Sequence, residues 1–270
     1  MAAGAVSFSH ILAVGSTRQL LCSKGVEIPL HTLICNHLRG LFAAQFLPTP
    51  VAADIVRVVD LHSVNQKQTL PLTKNESKPI WRVTAWALAV QRLVNVSVLL
   101  LLLLVSVQSI EMGQLTSLKT ALLLIWILVA CCLVVVYLVS PTNSTRVLKR
   151  IQHWIPSPMT LSKTFLLGLG QQAALILSVL AAATGLGITA PTSHVMAVVP
   201  ISLLAVILPV SINGLGVRES VYVFVLSQAG VPDSDSVTLS LSVYVLALGL
   251  SLLALTAPRQ VPTEAATPSN

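Results

Sequence analysis

Long apolar runs without formal charge alternate with short charged segments along the chain. Crossing the hydrocarbon core as a helix takes roughly 20 apolar residues, and about five runs are that long. The predicted spans are residues 2–20, 86–107, 120–140, 165–183 and 238–258. The pattern therefore predicts an all-α polytopic membrane protein. Its transmembrane domain would cover residues 1–258, and residues 259–270 would form a short polar cytoplasmic tail.

Two further apolar stretches are interrupted by proline and glycine. The first runs from His31 to about His62, and the second from His194 to about Gln228. Proline removes a backbone donor and clashes with the preceding turn, and glycine loosens the chain. The predicted breaks are at Pro48, Pro50, Pro209 and Ser211. Non-helical backbone at membrane depth survives only where protein or a water-filled cavity satisfies it, so each stretch is predicted to be a re-entrant helical hairpin.

The positions of Lys and Arg predict the orientation of these segments. Basic residues are concentrated in residues 67–82 and 146–163, which we expect to face the cytoplasm. The connections 108–119, 184–193 and 230–237 carry one lysine between them and fit the outer side. With this threading the two hairpins enter from opposite sides. The five spans and two broken hairpins would then form an inverted repeat, the arrangement that points to a transport site.

The low charge content excludes several classes of protein. Only 9% of the residues are charged, whereas a soluble domain carries about 25%. The net charge of +7 lies mostly in short loops, so it indicates membrane topology rather than a nucleic-acid partner. The cysteines and histidines show no metal-ligand spacing, and His10 sits alone in an apolar run. We therefore expect no metal and no cofactor.

Two arginines stand at matching distances from the two breaks. Arg57 follows Pro48 by nine residues, and Arg218 follows Pro209 by nine residues. A charge at membrane depth usually marks a binding site or pathway, and the arginine fork suits a phosphate. The predicted lipid-headgroup residues are Arg57, Arg218, Asp54, Glu219, Asn213, Gly214, Gly216 and Arg92. The structural alternative is that Asp54 and Glu219 neutralise the neighbouring arginines, which then only pin the hairpins.

Three other groups have simpler interpretations. Asn213, Gly214 and Gly216 would chiefly form unwound backbone. Arg92 is near the end of its span, where extension of the side chain toward the interface is an adequate explanation. Gln171 and Gln172 could line a cavity, but hydrogen bonding between helices is the favoured interpretation.

Several motifs resemble those of a known family. The segment AQFLPTPVAADIVR, residues 44–57, resembles the first signature of the lysylphosphatidylglycerol synthetase transmembrane or flippase-like family. The segment LPVSINGLGVRE, residues 208–219, resembles its second signature, and residues 87–93 are similar to a third. The family usually has Gly-Gly where this chain has Ala52-Ala53. It also usually begins with one more span, which leaves open whether an N-terminal span is missing here.

The resemblance implies a lipid translocase of the cytoplasmic membrane. Its cargo would be an anionic or aminoacylated phospholipid or a polyprenyl-phosphate-linked lipid. Larger members continue into a soluble aminoacyl-transferase, and only a short polar segment follows the last span here, so we expect no enzyme activity. The expected partners are membrane lipids and a separate lipid-modifying enzyme or glycosyltransferase. The alternatives are a secondary transporter of a small polar solute and a membrane enzyme acting on a lipid phosphate.

Overall fold

Every secondary-structure element in the described part of the chain is helical. The computed structural model describes residues 1–47, 50–67, 79–108, 154–207 and 211–256. The α-helices are α1 (Ala2–Cys22), α2 (Leu30–Ala44), α3 (Pro50–Lys67), α4 (Ile80–Gln108), α5 (Pro158–Gly185), α6 (Thr192–Val206), α7 (Val217–Ser227) and α8 (Asp233–Leu252). Two short 3-10 helices cover Ile212–Gly214 and Leu253–Leu255. The all-α prediction is confirmed for these residues.

Three helices in the described ranges are long and apolar enough to cross a membrane. They cover Ile80–Ser106, Pro158–Gly185 and Asp233–Leu255, and they contain or overlap the predicted spans 86–107, 165–183 and 238–258. The predicted span 2–20 is one continuous helix, α1, but it is not among the three. The predicted span 120–140 and the tail 259–270 lie outside the described residues.

Both interrupted stretches fold as pairs of helices. In the first, α2 packs against α3, and Pro50 begins α3 in the first turn, where proline is tolerated because the amide there has no helical acceptor. In the second, α6 packs against α7, with Ser211 and a 3-10 turn between them. Pro48 and Pro209 lie outside the described residues.

The apolar core consists of two clusters, one from each half of the chain. The first is built on α1 to α4, with Leu20, Leu33 and Leu61 among its buried side chains. The second is built on α5 to α8 and includes Val198 and Leu226. Helices α1 and α5 pack extensively against each other and join the two halves.

Candidate functional site

A cavity of about 380 Å³ lies where the two halves meet, with walls from α1, α2 and α4 on one side and α5 to α8 on the other. This volume is within the range of small-ligand sites, so it fits a headgroup rather than a whole lipid. Its polar lining residues are His10, Gln45, Arg92, Asn95, Gln171, Gln172, Ser178, Ser202, Asn213, Arg218, Tyr222 and Tyr244. None of the described lining residues carries a carboxylate.

The predicted headgroup residues divide into two groups. Three of them, Arg92, Asn213 and Arg218, line the cavity. The other five are not among its lining residues: Arg57, Asp54, Glu219, Gly214 and Gly216.

Asp54 binds two arginines from different helices. Its Oδ1 lies 3.5 Å from Nη1 of Arg57, three residues away on α3. Its Oδ2 accepts a hydrogen bond from Nε of Arg92 on α4 at 3.0 Å, and a second from Nη2 of the same residue. One carboxylate thus serves two guanidinium groups. Arg92 pairs with Asp54 and lines the cavity, so the interpretation that it only reaches toward the interface is wrong.

Arg57 holds three helices together. Its side chain is 10% exposed, and its Nη2 donates to Oγ1 of Thr17 on α1 at 3.4 Å. The Thr17 hydroxyl donates to Oε1 of Gln91 on α4 at 2.7 Å. Nε2 of Gln91 donates in turn to the Ala13 carbonyl at 2.8 Å. These contacts favour the structural alternative for Arg57, in which it pins the first hairpin.

The aliphatic part of Arg57 lies directly on Gly40 of α2. A Cβ at position 40 would be 2.5 Å from both Cγ and Cδ of Arg57.

We expect Gly40→Ala to lower the free energy of unfolding by about 1–3 kcal/mol, because Arg57 cannot move without weakening its contacts. Unfolding in detergent measures this loss. Gly249→Ala on α8, where a Cβ meets nothing within 4 Å, is the matched control. Equal stability of the two variants would contradict the packing described here.

The second break is formed by backbone that favours glycine. Gly214 has φ 78° and Gly216 has φ 82°, and a Cβ at Gly214 would overlap Val206 of α6. Asn213 also has a positive φ, 51°. The break turns the chain sharply between α6 and α7 and places the Asn213 side chain on the cavity wall. The predicted backbone role of these three residues is confirmed.

Glu219 does not neutralise Arg218 in the structure. Its Oε2 accepts a hydrogen bond from the Gly216 amide at 2.6 Å, which closes a capping box at the start of α7. Its Oε1 accepts a hydrogen bond from Ser240 of α8 at 3.4 Å. The structural alternative, in which Glu219 neutralises Arg218, is therefore wrong for this pair.

Arg218 meets the cavity without a carboxylate partner among the described residues. Its guanidinium carbon lies 5.7 Å from the centroid of the Tyr244 ring, a cation–π contact. It is in the first turn of α7, beside the capping box that Glu219 closes. Its guanidinium group is therefore the part of this helix start that can reach an anion in the cavity.

Gln45 connects the two hairpins and was not predicted as a site residue. Its Oε1 accepts hydrogen bonds from Nδ2 of Asn213 at 2.5 Å and from the Tyr244 hydroxyl at 3.1 Å. The C-terminal end of α2 in the first hairpin is thereby hydrogen-bonded to the break between α6 and α7 in the second hairpin. The sequence signal was a polar side chain three residues before Pro48.

Two interpretations of other polar residues were wrong. Gln171 and Gln172 line the cavity and make no side-chain hydrogen bond within the described chain, so they do not join helices. His10 is not alone, because its Nδ1 lies 3.1 Å from Nε2 of His37 on α2. Residues 27 positions apart on different helices give no local pattern from which this pair could be found.

Comparison with known proteins identifies the family of this chain. No curated protein and no solved structure matches the chain. The family described as the lysylphosphatidylglycerol synthase TM region matches residues 1–255, which include the motifs at residues 44–57, 87–93 and 208–219. The chain belongs to the lysylphosphatidylglycerol synthase transmembrane-region family and is a multi-pass membrane protein related to lipid handling.

Proposed function

We propose that the protein is a lipid translocase of the cytoplasmic membrane. The headgroup of an anionic phospholipid or a polyprenyl-phosphate-linked lipid passes through the cavity while its chains stay in the surrounding lipid. The single observation that carries this proposal is the cavity between the two hairpins, with Arg92 and Arg218 on its wall and no carboxylate among its described lining residues.

The charge of the cavity wall favours an anionic guest. A charge at membrane depth costs several kcal/mol unless it is paired. Asp54 contacts both Arg57 and Arg92, and Arg218 has only the Tyr244 ring among the described residues. A lipid phosphate entering the cavity supplies a negative charge beside Arg218 and accepts charge-assisted hydrogen bonds from its guanidinium group.

We include the five-span inverted repeat in this proposal: the helix contacts support the repeat, and the placement of Lys and Arg supports its inversion. Exchanging α1–α4 with α5–α8 leaves the main set of contacting helix pairs unchanged. The α2–α3 pair corresponds to α6–α7, and α4–α6 corresponds to α8–α2. The cavity lies at the junction of the two units, the position expected for a site that is alternately open to the two sides.

The inverted repeat predicts opposite accessibility for the starts of α5 and α8. Met159→Cys should react with an impermeant maleimide only from the cytoplasmic side, and Ser234→Cys only from the outside. Both positions are exposed, and each variant is made in a background without the native cysteines. Labelling of intact cells and of inverted vesicles measures the sidedness. Reaction of both positions from the same side would contradict the proposed topology.

The acids near the hairpins are engaged in ways that favour binding over catalysis. Asp54 binds two arginines, and Glu219 caps α7. Asp60 accepts hydrogen bonds from Asn36 and Arg39, both at distances below 3 Å. A general base needs a carboxylate free to take a proton from the substrate. We therefore propose that the protein is not an enzyme and that a separate lipid-modifying enzyme or glycosyltransferase makes or uses the transported lipid.

Proteoliposomes test the translocase directly. The purified protein is reconstituted with phosphatidylglycerol carrying a fluorophore on its acyl chain, and dithionite is added outside. In protein-free vesicles only the outer-leaflet fluorescence should be lost, whereas vesicles with the protein should lose nearly all of it. Quenching equal to that of protein-free vesicles, together with uptake of soluble glycerol phosphate, would instead support a transporter of a small polar solute.

A further inference from the structure

His10 lies on the face of α1 that is turned toward the inside of the protein. It is half-buried and lines the cavity, one turn after the buried Val6 and two turns before the buried Thr17. Its Nδ1 is 3.1 Å from Nε2 of His37 on α2. Its Nε2 makes no hydrogen bond to the described residues and is not enclosed by them. Nε2 is therefore the ring nitrogen that a guest in the cavity can reach.

The buried partner determines which nitrogen of His10 carries the proton. Nδ1 of His37 is buried without a hydrogen-bond partner among the described residues. Buried N–H groups without a partner are rarer in proteins than buried acceptors without one. The favoured tautomer of His37 therefore has its proton on Nε2, which donates to Nδ1 of His10. A neutral imidazole has one N–H group, so His10 carries its own on Nε2.

The surroundings of the pair favour its uncharged form. The side chain of Arg57 lies against Gly40, one turn from His37 on α2. Burial and a neighbouring cation both disfavour a further positive charge on the two rings. His10 thus presents a neutral Nε2–H donor to the cavity. Hydrogen bonds to an ionised acceptor are the stronger ones, so the best partner for this donor is an anionic oxygen.

We propose that His10 binds the phosphate of the lipid headgroup, with its Nε2–H donating a hydrogen bond to a phosphate oxygen. His37 is a positioning residue that fixes the tautomer of His10. Arg218 lines the same cavity from the second half of the chain, so a lipid phosphate meets donors from both halves. Because the bond is made to the phosphate, an amino acid esterified to the headgroup is compatible with it. The inference rests on the proposed function, since it assigns a further binding residue for the same lipid.

Substitutions that keep one nitrogen position of His10 at a time test this assignment. The amide nitrogen of Gln lies near the place of Nε2, and that of Asn near the place of Nδ1. The affinity for dioctanoyl phosphatidylglycerol is measured by thermal stabilisation in detergent. We expect His10→Asn to weaken binding about tenfold or more, because the bond to the charged phosphate is lost, and His10→Gln to weaken it less than about threefold. Equal losses in the two variants would overturn the proposal.

Substitutions of His37 test its positioning role. His37→Gln should preserve the affinity for phosphatidylglycerol, because its amide can still donate to Nδ1 of His10. His37→Leu removes that donor and leaves the tautomer of His10 unfixed, so the affinity should fall although His10 is intact. His31→Asn, exposed in the first turn of α2, is the matched control and should bind as the wild type does. Equal affinity in the Gln and Leu variants of His37 would contradict its role.

Nitrogen-15 NMR of the histidine-labelled wild-type protein tests the tautomer without any substitution. We expect His10 as the Nε2–H tautomer, and we expect the signal of that proton to shift when dioctanoyl phosphatidylglycerol binds. Dioctanoylglycerol, which has no phosphate, should leave the signal in place. A proton on Nδ1 of His10, or a signal that phosphatidylglycerol does not move, would refute the assignment.

The proposed function and this inference can fail separately. Weaker lipid binding in His10→Asn than in His10→Gln, without movement between leaflets in the wild type, would sustain the inference and refute the translocase. Movement that is equally fast in the wild type and in His10→Asn would sustain the translocase and refute the inference. Absence of any lipid binding would refute both. Equal stabilisation by soluble glycerol phosphate, also weakened by His10→Asn, would sustain the phosphate contact but identify a solute, not a lipid, as its source.

Discussion

Arg218→Gln should greatly slow lipid movement while the protein still folds. The substitution removes the cation that has no carboxylate partner in the described structure, and with it the fork that would hold the phosphate. Hydrogen bonds to charged groups contribute about 1.5–3 kcal/mol, so we expect the rate to fall roughly 10- to 100-fold. Dithionite quenching in proteoliposomes measures the rate, and melting in detergent reports the fold. Arg218→Lys should keep partial activity, because it retains the charge without the fork.

Control substitutions at two other positions distinguish a lipid-binding role of Arg218 from a purely structural one. Arg18→Gln, at an exposed position on α1, should leave lipid movement unchanged. Glu219→Gln should cost about 1 kcal/mol of stability through the weakened cap, and it should leave Arg218 functional. The double variant Arg218→Gln with Glu219→Gln should stay inactive. Full recovery of transport in that double variant would show that Arg218 only neutralises Glu219.

Asp54→Asn should produce the largest loss of stability. It removes the carboxylate that contacts both Arg57 and Arg92, so each guanidinium group loses its ion pair with Asp54. Breaking a buried ion pair costs about 3–5 kcal/mol, and since Asp54 is 21% exposed we expect about 3 kcal/mol. Reversible unfolding in mixed micelles measures the free energy. Asp233→Asn, exposed in the first turn of α8, should cost less than about 1 kcal/mol.

A double variant distinguishes a shared carboxylate from a simple pair. Asp54→Asn with Arg57→Gln should not restore stability, because Arg92 keeps its charge and still loses its ion pair with Asp54. If Asp54 served Arg57 alone, removal of both charges would recover most of the loss. Recovery to near wild-type stability would therefore contradict the shared site.

The fold could be predicted where length and apolar content decide the structure. Helices α4, α5 and α8 follow from long charge-free runs, and the two hairpins follow from breaks rich in proline and glycine. Helix α1 has the predicted length, yet it is not among the candidate spans. Its buried side chains include Ser9 and Thr17, which are hydrogen-bonded, so polar contacts inside the protein replace part of the apolar pattern.

The site was harder to predict because its contacts join distant segments. The two arginine–acid pairs looked equivalent in sequence, but only one of them forms. Asp54 and Arg57 are three residues apart and share a helix face, whereas the adjacent residues Arg218 and Glu219 point in different directions.

Side-chain contacts between distant segments of the chain leave no pattern in the local sequence. Arg92 reaches Asp54 across 38 residues, and Asn213 reaches Gln45 across 168. The spacing of residues along one helix predicts which side chains share a face, but it does not predict which helices become neighbours. Gln45, Gln171 and Gln172 could therefore be placed on the cavity only from the structure.

Photo-crosslinking tests most directly whether a lipid headgroup occupies the cavity. Leu203→p-benzoyl-phenylalanine places the probe on the cavity wall, and Leu177→p-benzoyl-phenylalanine places it at a position on α5 that is 59% exposed. The protein is irradiated in its native membrane, and the adducts are identified by mass spectrometry. At position 203 we predict anionic-lipid adducts that disappear with Arg218→Gln, and at position 177 adducts that Arg218→Gln does not change. Adducts at position 203 that are unaffected by Arg218→Gln, or that reflect only the bulk lipid composition, would contradict a headgroup site in this cavity.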